Sequence, residues 1–211
     1  MNQYIKKIKT DPVGYFFSFC RWRKYNLNRL YYSFLMYILL FLKKVKIGSK
    51  SNFYGKAYFN RHPESSIEIG NCCTFDSSKF RNLIGVNKCC IITTLSKEAK
   101  LKIGNTSKFS GVKIACANSV TIGDNCLFGA NINVFDTDWH AIDPTKRSDP
   151  NSIETRPVKI GNNVFIGLNT IILKGSTIGD NSVIGSGSVV SGNIPANVIA
   201  AGNPCKIIRN L

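Results

Sequence analysis

Histidine is nearly absent from this chain: 211 residues carry only His62 and His140. A zinc centre built from several imidazoles is therefore excluded, and no CxxC spacing offers thiolates in their place. Carboxylates are scarce too, 12 against 28 Lys and Arg, for a formal net charge of +16. No apolar run reaches the roughly 20 residues that a membrane-spanning helix needs. LYYSFLMYILLFL, residues 30–42, would cover only ~20 Å as a helix, against a hydrocarbon core of ~30 Å. It begins late and runs into KKVKIG instead of a small-residue cleavage site, so it does not read as a signal peptide. Nor does a glycine-rich α/β nucleotide-binding unit precede the rest, which argues against a nucleotidyltransferase.

The charge is uneven. Residues 1–46 hold ten Lys or Arg against Asp11 alone, leaving 18 basic and 11 acidic residues for the remainder. Basic residues flank the 30–42 run on both sides, which leaves two readings of residues 1–44. One is a helix lying in the membrane interface, peripheral on the inner face of the cell membrane; the other is a helix packed on the protein body or its oligomer. The basic residues accompany an apolar run, not an alternating basic and aromatic surface, so nucleic acid is not an expected partner. Eight cysteines fall as Cys20, the vicinal pairs Cys72-Cys73 and Cys89-Cys90, Cys116, Cys126 and Cys205. Vicinal pairs make poor staples, and these read as small buried thiols in a reducing, cytoplasmic setting.

From residue 45 the pattern changes to Ile-Gly punctuation at Ile47, Ile69, Ile84, Ile103, Ile122, Ile160 and Ile178, spaced 22, 15, 19, 19, 38 and 18 residues. These cluster near 18, and 38 reads as two units plus a short insertion. Toward the C-terminus a period of six holds without a slip: Ile160, Ile166, Ile172, Ile178, Ile184, Val190. Four residues after each comes Val164, Thr170, Ser176, Ser182, Ser188 and Ile194, all of them small or β-branched. Six fits neither an α-helix nor a simply alternating strand. It fits a parallel β-helix over 45–211, with three flat faces per coil, an aliphatic residue from each hexapeptide inside, and Gly or Asn at the corners. A β-sandwich would show period-two alternation instead.

VKIGNNVFIGLNTIILKGSTIGDNSVIGSGSVVSGNIPANVIAAGNPCKIIR, residues 158–209, resembles the hexapeptide-repeat acyltransferases, including galactoside, maltose and polysaccharide O-acetyltransferases. The resemblance implies a mainly β chain with a left-handed parallel β-helix, a hand that the period alone does not give. It also implies acetyl-CoA as co-substrate, no metal, and a homotrimer with sites between subunits.

One stretch breaks the rhythm. VFDTDWHAID, residues 134–143, is followed by a proline-bearing polar segment, so a loop at 141–157 should project from the coils. An imidazole suits removal of a proton from an attacking hydroxyl, which makes His140 the candidate general base. Asp136 or Asp138 could hold its other ring nitrogen; the sequence does not choose. Trp139 could stack on a sugar acceptor or anchor the loop. His62, in RHPESS before the regular coils, has no comparable carboxylate company and reads as a packing or surface residue. By resemblance, Gly167 and Leu168 (through backbone), Ser186, Ser191, Lys206 and Arg209 hold acetyl-CoA, although Ser191-Gly192 stands where the family pattern has Thr-Lys. The function implied is O-acetylation of a sugar or lipid-linked glycan for a surface polysaccharide. N-acetylation of an amino sugar and a noncatalytic scaffold are the alternatives.

Overall fold

The computed structural model describes residues 10–79, 81, 82 and 84–211. Three parallel sheets wrap one interior. The first face stacks Lys46–Ile47, Ser66–Ile69, Lys100–Ile103, Ser119–Ile122, Val158–Ile160, Thr177–Ile178 and Asn193–Ile194. The second runs from Asn52–Tyr54 through Leu127–Ala130 and Phe165–Ile166 to Val198–Ala201, where Lys206–Asn210 adds an antiparallel strand. The third includes Asn133–Phe135, Ile171–Ile172 and Val189–Val190.

The six-residue period is borne out position by position. Ile166, Ile172, Ile178, Ile184 and Val190 are buried, as are Val164, Thr170, Ser176, Ser182, Ser188 and Ile194. The small residues sit at corners where a buried hydroxyl can reach a carbonyl, as Ser182 Oγ does to Pro195 at 2.7 Å and Ser176 Oγ to Val190 at 3.0 Å. Cys126 occupies the same kind of site, its thiol 3.1 Å from the Gly161 carbonyl. All eight cysteines are free; Cys73, Cys90, Cys116 and Cys126 are buried, but Cys72, Cys89 and Cys205 are half-buried and Cys20 is exposed, so the expectation of small buried thiols holds for four of them. In the earlier coils the interior position on the second face is phenylalanine: Phe53, Phe75, Phe109 and Phe128 stack with centroids 5.1, 5.1 and 4.7 Å apart.

The corner between first and second faces explains the Ile-Gly-Asn/Asp punctuation. Each side-chain oxygen accepts from the backbone one coil below: Asn71 from Ser49 N (2.9 Å), Asn105 from Asn71 N (2.9 Å), Asp124 from Asn105 N (2.6 Å) and Asn162 from Asp124 N (2.9 Å). A Cβ at Gly123 would lie 2.6 Å from the next coil, so only glycine lets the ladder close.

Two readings of the spacing need correction. Ile122 pairs in register with Ile160, so the 38-residue interval is one coil carrying a long excursion, not two coils. Likewise Ile69 pairs directly with Ile103, and Ile84 belongs to a second excursion between Asp76 and Ile91, where it is 70% exposed.

The N-terminal helix, α1 (Pro12–Leu42), is longer than the apolar run. Asp11 caps it, accepting from Gly14 N at 2.8 Å, and Pro12 fills the first turn. Its last four turns lie across the open edge of the first coil. Met36 and Leu40 are fully buried. Three side chains of α1 serve alternate amides of the edge: Tyr37 Oη accepts from Ser51 N (2.9 Å), Ser33 Oγ from Phe53 N (3.0 Å) and Asn28 Oδ1 from Gly55 N (3.1 Å). Ser33, the one polar residue in the 30–42 run, is thus a backbone acceptor. Among the described residues no helix is long and apolar enough to cross a membrane.

Candidate functional site

The excursion at 136–157 leaves the corner between third and first faces on a narrow neck. Thr137 and Thr155 form an antiparallel bridge, Asp138 N donates to the Glu154 carbonyl (3.2 Å), and Arg156 N donates to the Asp136 carbonyl (2.9 Å). Beyond the neck, Asp143 and Asp149 accept from Thr145 N (2.9 Å) and Asn151 N (3.0 Å), opening two 3-10 turns at Pro144–Lys146 and Pro150–Ser152. Both carboxyls are held below the usual carboxylate range, first by hydroxyls, Thr145 for one and Ser152 for the other.

Asp136 is fully buried at the root. Its two oxygens accept from Ala117 N (2.6 Å) and Asn118 N (2.8 Å), the corner of the coil below. Asp138 sits on the opposite side of the neck, its Oδ2 3.0 Å from Lys174 Nζ. Lys174, only 15% exposed along its side chain, also meets Glu154 Oε2 at 2.6 Å, and Glu154 takes Arg156 Nε at 2.6 Å. Hydrogen bonding to Glu154 and then Asp138 raises the Lys174 ammonium above its ordinary value, and Lys174 with Arg156 lowers Glu154. Lys174, Glu154 and Arg156 form a charged clamp that sequence reasoning missed. Its one signal is the Lys in ILKG, a cation at a corner of otherwise apolar and small residues.

Two residues past Asp138 the chain reaches His140, which is exposed. Asp136 accepts from two backbone amides and Asp138 pairs with Lys174, and within one chain neither is hydrogen-bonded to the imidazole. Trp139 adopts φ +66, a left-handed conformation that costs a bulky residue energy and persists only where neighbours impose it. Its ring meets Phe135 edge-on at 5.7 Å, yet it stays 45% exposed. A cleft lined by Ala141, Ile142, Asp143, Lys146, Ser152 and Glu154 opens just beyond His140.

The acetyl-CoA candidates divide. Gly167, Leu168 and Ser186 lie together at the corner between second and third faces, where Gly187 N donates to the Leu168 carbonyl (2.8 Å). A Cβ on Gly167 would come 2.4 Å from Ser186 N, so the coils approach here only because residue 167 is glycine. Lys206 and Arg209 are exposed on the antiparallel strand that pairs with Val198–Ala201 on the second face, next to this corner. Ser191 is elsewhere: it follows Val190 at the His140 corner. Within one chain the third face separates His140 from Gly167, Leu168 and Ser186. His62 lies at the His140 corner three coils earlier, its Nδ1 2.7 Å from the Pro63 carbonyl. Among the described residues no group of three or more His, Cys, Asp or Glu could hold a metal.

Residues 157–192 match the family described as bacterial transferase hexapeptide (six repeats), and residues 119–132 match the hexapeptide repeat of succinyl-transferase. Galactoside O-acetyltransferase of Escherichia coli (strain K12) is 47% identical over 93 residues, 44% of this chain and 45% of that protein. A putative lipopolysaccharide biosynthesis O-acetyl transferase of the same strain is 42% identical over 108 residues, covering 46% of this chain and 54% of that one. The chain thus matches about half the length of these relatives. Among solved structures, a galactoside acetyltransferase in complex with coenzyme A superposes with a TM-score of 0.51 at 29% identity, covering 78% of this chain and 64% of that one. An N-acyltransferase from Bacillus cereus, at TM-score 0.61 but 20% identity over 80% of this chain and 86% of that one, shows likeness of fold alone. The coils form a left-handed parallel β-helix, as the resemblance implied.

Proposed function

We propose that this chain, whose coils match the hexapeptide-repeat transferases, transfers an acetyl group from acetyl-CoA to a sugar hydroxyl in the making of a surface polysaccharide. The observation that carries the reading is His140: an exposed imidazole held at the outer end of a neck that is fastened from both sides. In the proposed reaction the neutral imidazole takes the acceptor's hydroxyl proton as its oxygen attacks the thioester carbonyl. The tetrahedral intermediate collapses, the coenzyme A thiolate leaves, and it takes the proton back from the imidazolium. General-base help of this kind is worth roughly 10²- to 10⁴-fold. Asp136 and Asp138 act as positioning residues, one tying the neck to the coil below and the other to Lys174.

The acceptor enters from the side of Trp139 and the cleft beyond His140. Similarity to relatives named for galactoside and lipopolysaccharide O-acetylation favours a sugar hydroxyl, free or on a lipid carrier. Acetyl-CoA lies along the Gly167–Ser186 corner, where small residues leave the backbone open to a flexible arm and Lys206 and Arg209 can meet phosphates. Because one chain keeps that corner a full face away from His140, the active form is a homotrimer in which neighbouring subunits bring the two corners together. Closed three-fold symmetry then gives three equivalent sites.

The test is thiol release from acetyl-CoA with a panel of sugars. His140→Ala should lower turnover at least ~10²-fold while far-UV circular dichroism and oligomer size stay unchanged. A variant keeping more than about a tenth of wild-type turnover rules out the general base.

A further inference from the structure

The face of α1 that points away from the coils is apolar from Leu27 to Phe41. Leu27, Leu30, Tyr31, Phe34, Ile38 and Phe41 recur at spacings of three and four on the side opposite Ser33, Met36 and Leu40, and Phe34 and Phe41 are 71% and 82% exposed. Arg23 and Lys24 interrupt the stripe, and before them Val13, Phe16 and Phe17 on the same side are all more than half exposed. Monomeric proteins seldom leave an apolar surface of this extent uncovered.

Charge decides what covers it. Between Pro12 and Leu42 the helix carries Arg21, Arg23, Lys24 and Arg29 and no carboxylate, and Lys43, Lys44 and Lys46 follow. Asp11, the single acid before them, is spent capping Gly14 N. A second copy laid on this face would set cations against cations with no Glu or Asp to pair them. An anionic lipid surface supplies the missing negative charge, and aromatic side chains suit its boundary. Arg23 already lies 5.8 Å over the Phe19 ring, which stacks on Trp22 at 6.1 Å.

We propose that α1 is an in-plane anchor: its inner face seals the first coil, and its outer face beds in the acyl boundary of an anionic bilayer. The helix lies across the end of the coil stack, so its outer face points along the coil axis. Three copies with parallel axes would present three stripes in one plane, and their joint attachment would exceed that of one helix. The anchor does not depend on the acyl-transfer reading.

Flotation of the full chain with vesicles tests it. Binding should be strong with phosphatidylcholine containing a third phosphatidylglycerol, weak with phosphatidylcholine alone, and reduced by salt. Phe34→Ser, Ile38→Ser and Phe41→Ser together should lower binding at least about tenfold, with circular dichroism, oligomer size and thiol release unchanged. Arg21→Glu, Arg23→Glu and Lys24→Glu, on turns that touch no other element, should do the same. Failure of the full chain to float with anionic vesicles at low salt overturns the anchor. So does a triple serine variant that binds vesicles normally but loses oligomer size, which would make the stripe an interface between copies.

Discussion

Asp136→Asn tests whether the root of the loop is structural. The carboxylate is fully buried and each oxygen accepts a backbone amide, at 2.6 Å from Ala117 and 2.8 Å from Asn118. In asparagine one oxygen becomes an NH2, a donor facing a donor. One charge-assisted bond is lost, worth about 1.5–3 kcal/mol, and one buried N–H is orphaned at about 1–3 kcal/mol more. Removing the charge also relieves its desolvation, which offsets part of the loss. A net cost of ~3 kcal/mol follows, and for a chain of this size that lowers Tm by about 6–12 °C. Thermal unfolding followed by circular dichroism at one fixed protein concentration measures it. Turnover at 25 °C, where the variant stays folded, should remain within several-fold of wild type. A Tm within ~2 °C of wild type, with turnover down ~10²-fold, would refute the structural role and make Asp136 a partner of His140 in the reaction.

Lys174→Met keeps the methylene stem but leaves Asp138 and Glu154 without their shared cation, so the loop should open more often. Trypsin cleavage after Lys146 or Arg147 should speed up several-fold; unchanged cleavage would show that the clamp does not hold the loop. Burial pushes the Cys73 thiol up to about 11 and those of Cys90 and Cys116 up to about 12. In the native protein at pH 8 these three should resist a maleimide while exposed Cys20 reacts, read by mass spectrometry of digests. Early labelling of Cys90 or Cys116 would contradict their burial. Unfolding frees the same thiols to ionise near their ordinary value, so stability should fall as pH rises from about 9 toward 12.

The residues that repeat were legible because a coil repeats its demands. Interior positions ask for an aliphatic side chain, the corner four residues on asks for a small one, and both requirements are written at fixed spacing from Ile160 to Ile194. Excursions are not legible in the same way. A coil with an insertion and two plain coils return to Ile-Gly at nearly the same interval, so the step from Ile122 to Ile160 was miscounted, and Ile84-Gly85 mimicked punctuation inside a loop. The earlier coils also hide their period, because Phe53, Phe75, Phe109 and Phe128 fill the place of Ile. At the site, His140 stood out as a lone imidazole among carboxylates. The clamp did not, since Lys174 meets Asp138 and Glu154 only after the chain has made another turn. The start of α1 is readable in Asp11-Pro12, a cap followed by a first-turn proline inside the helical segment expected over 1–44.

The side chains that α1 lends to the first coil have a consequence for assembly. A parallel coil is a template for another coil, and its two ends offer complementary edges, so bare chains would join head to tail in a contact that never closes. Here one end meets Asn28, Ser33 and Tyr37, and the other is turned back by the antiparallel strand Lys206–Asn210. Different devices at the two poles keep one chain's coils from continuing into the next to build a fibre. Removing residues 1–44 would convert a discrete particle into a polymer whose length grows with concentration, visible as filaments by electron microscopy.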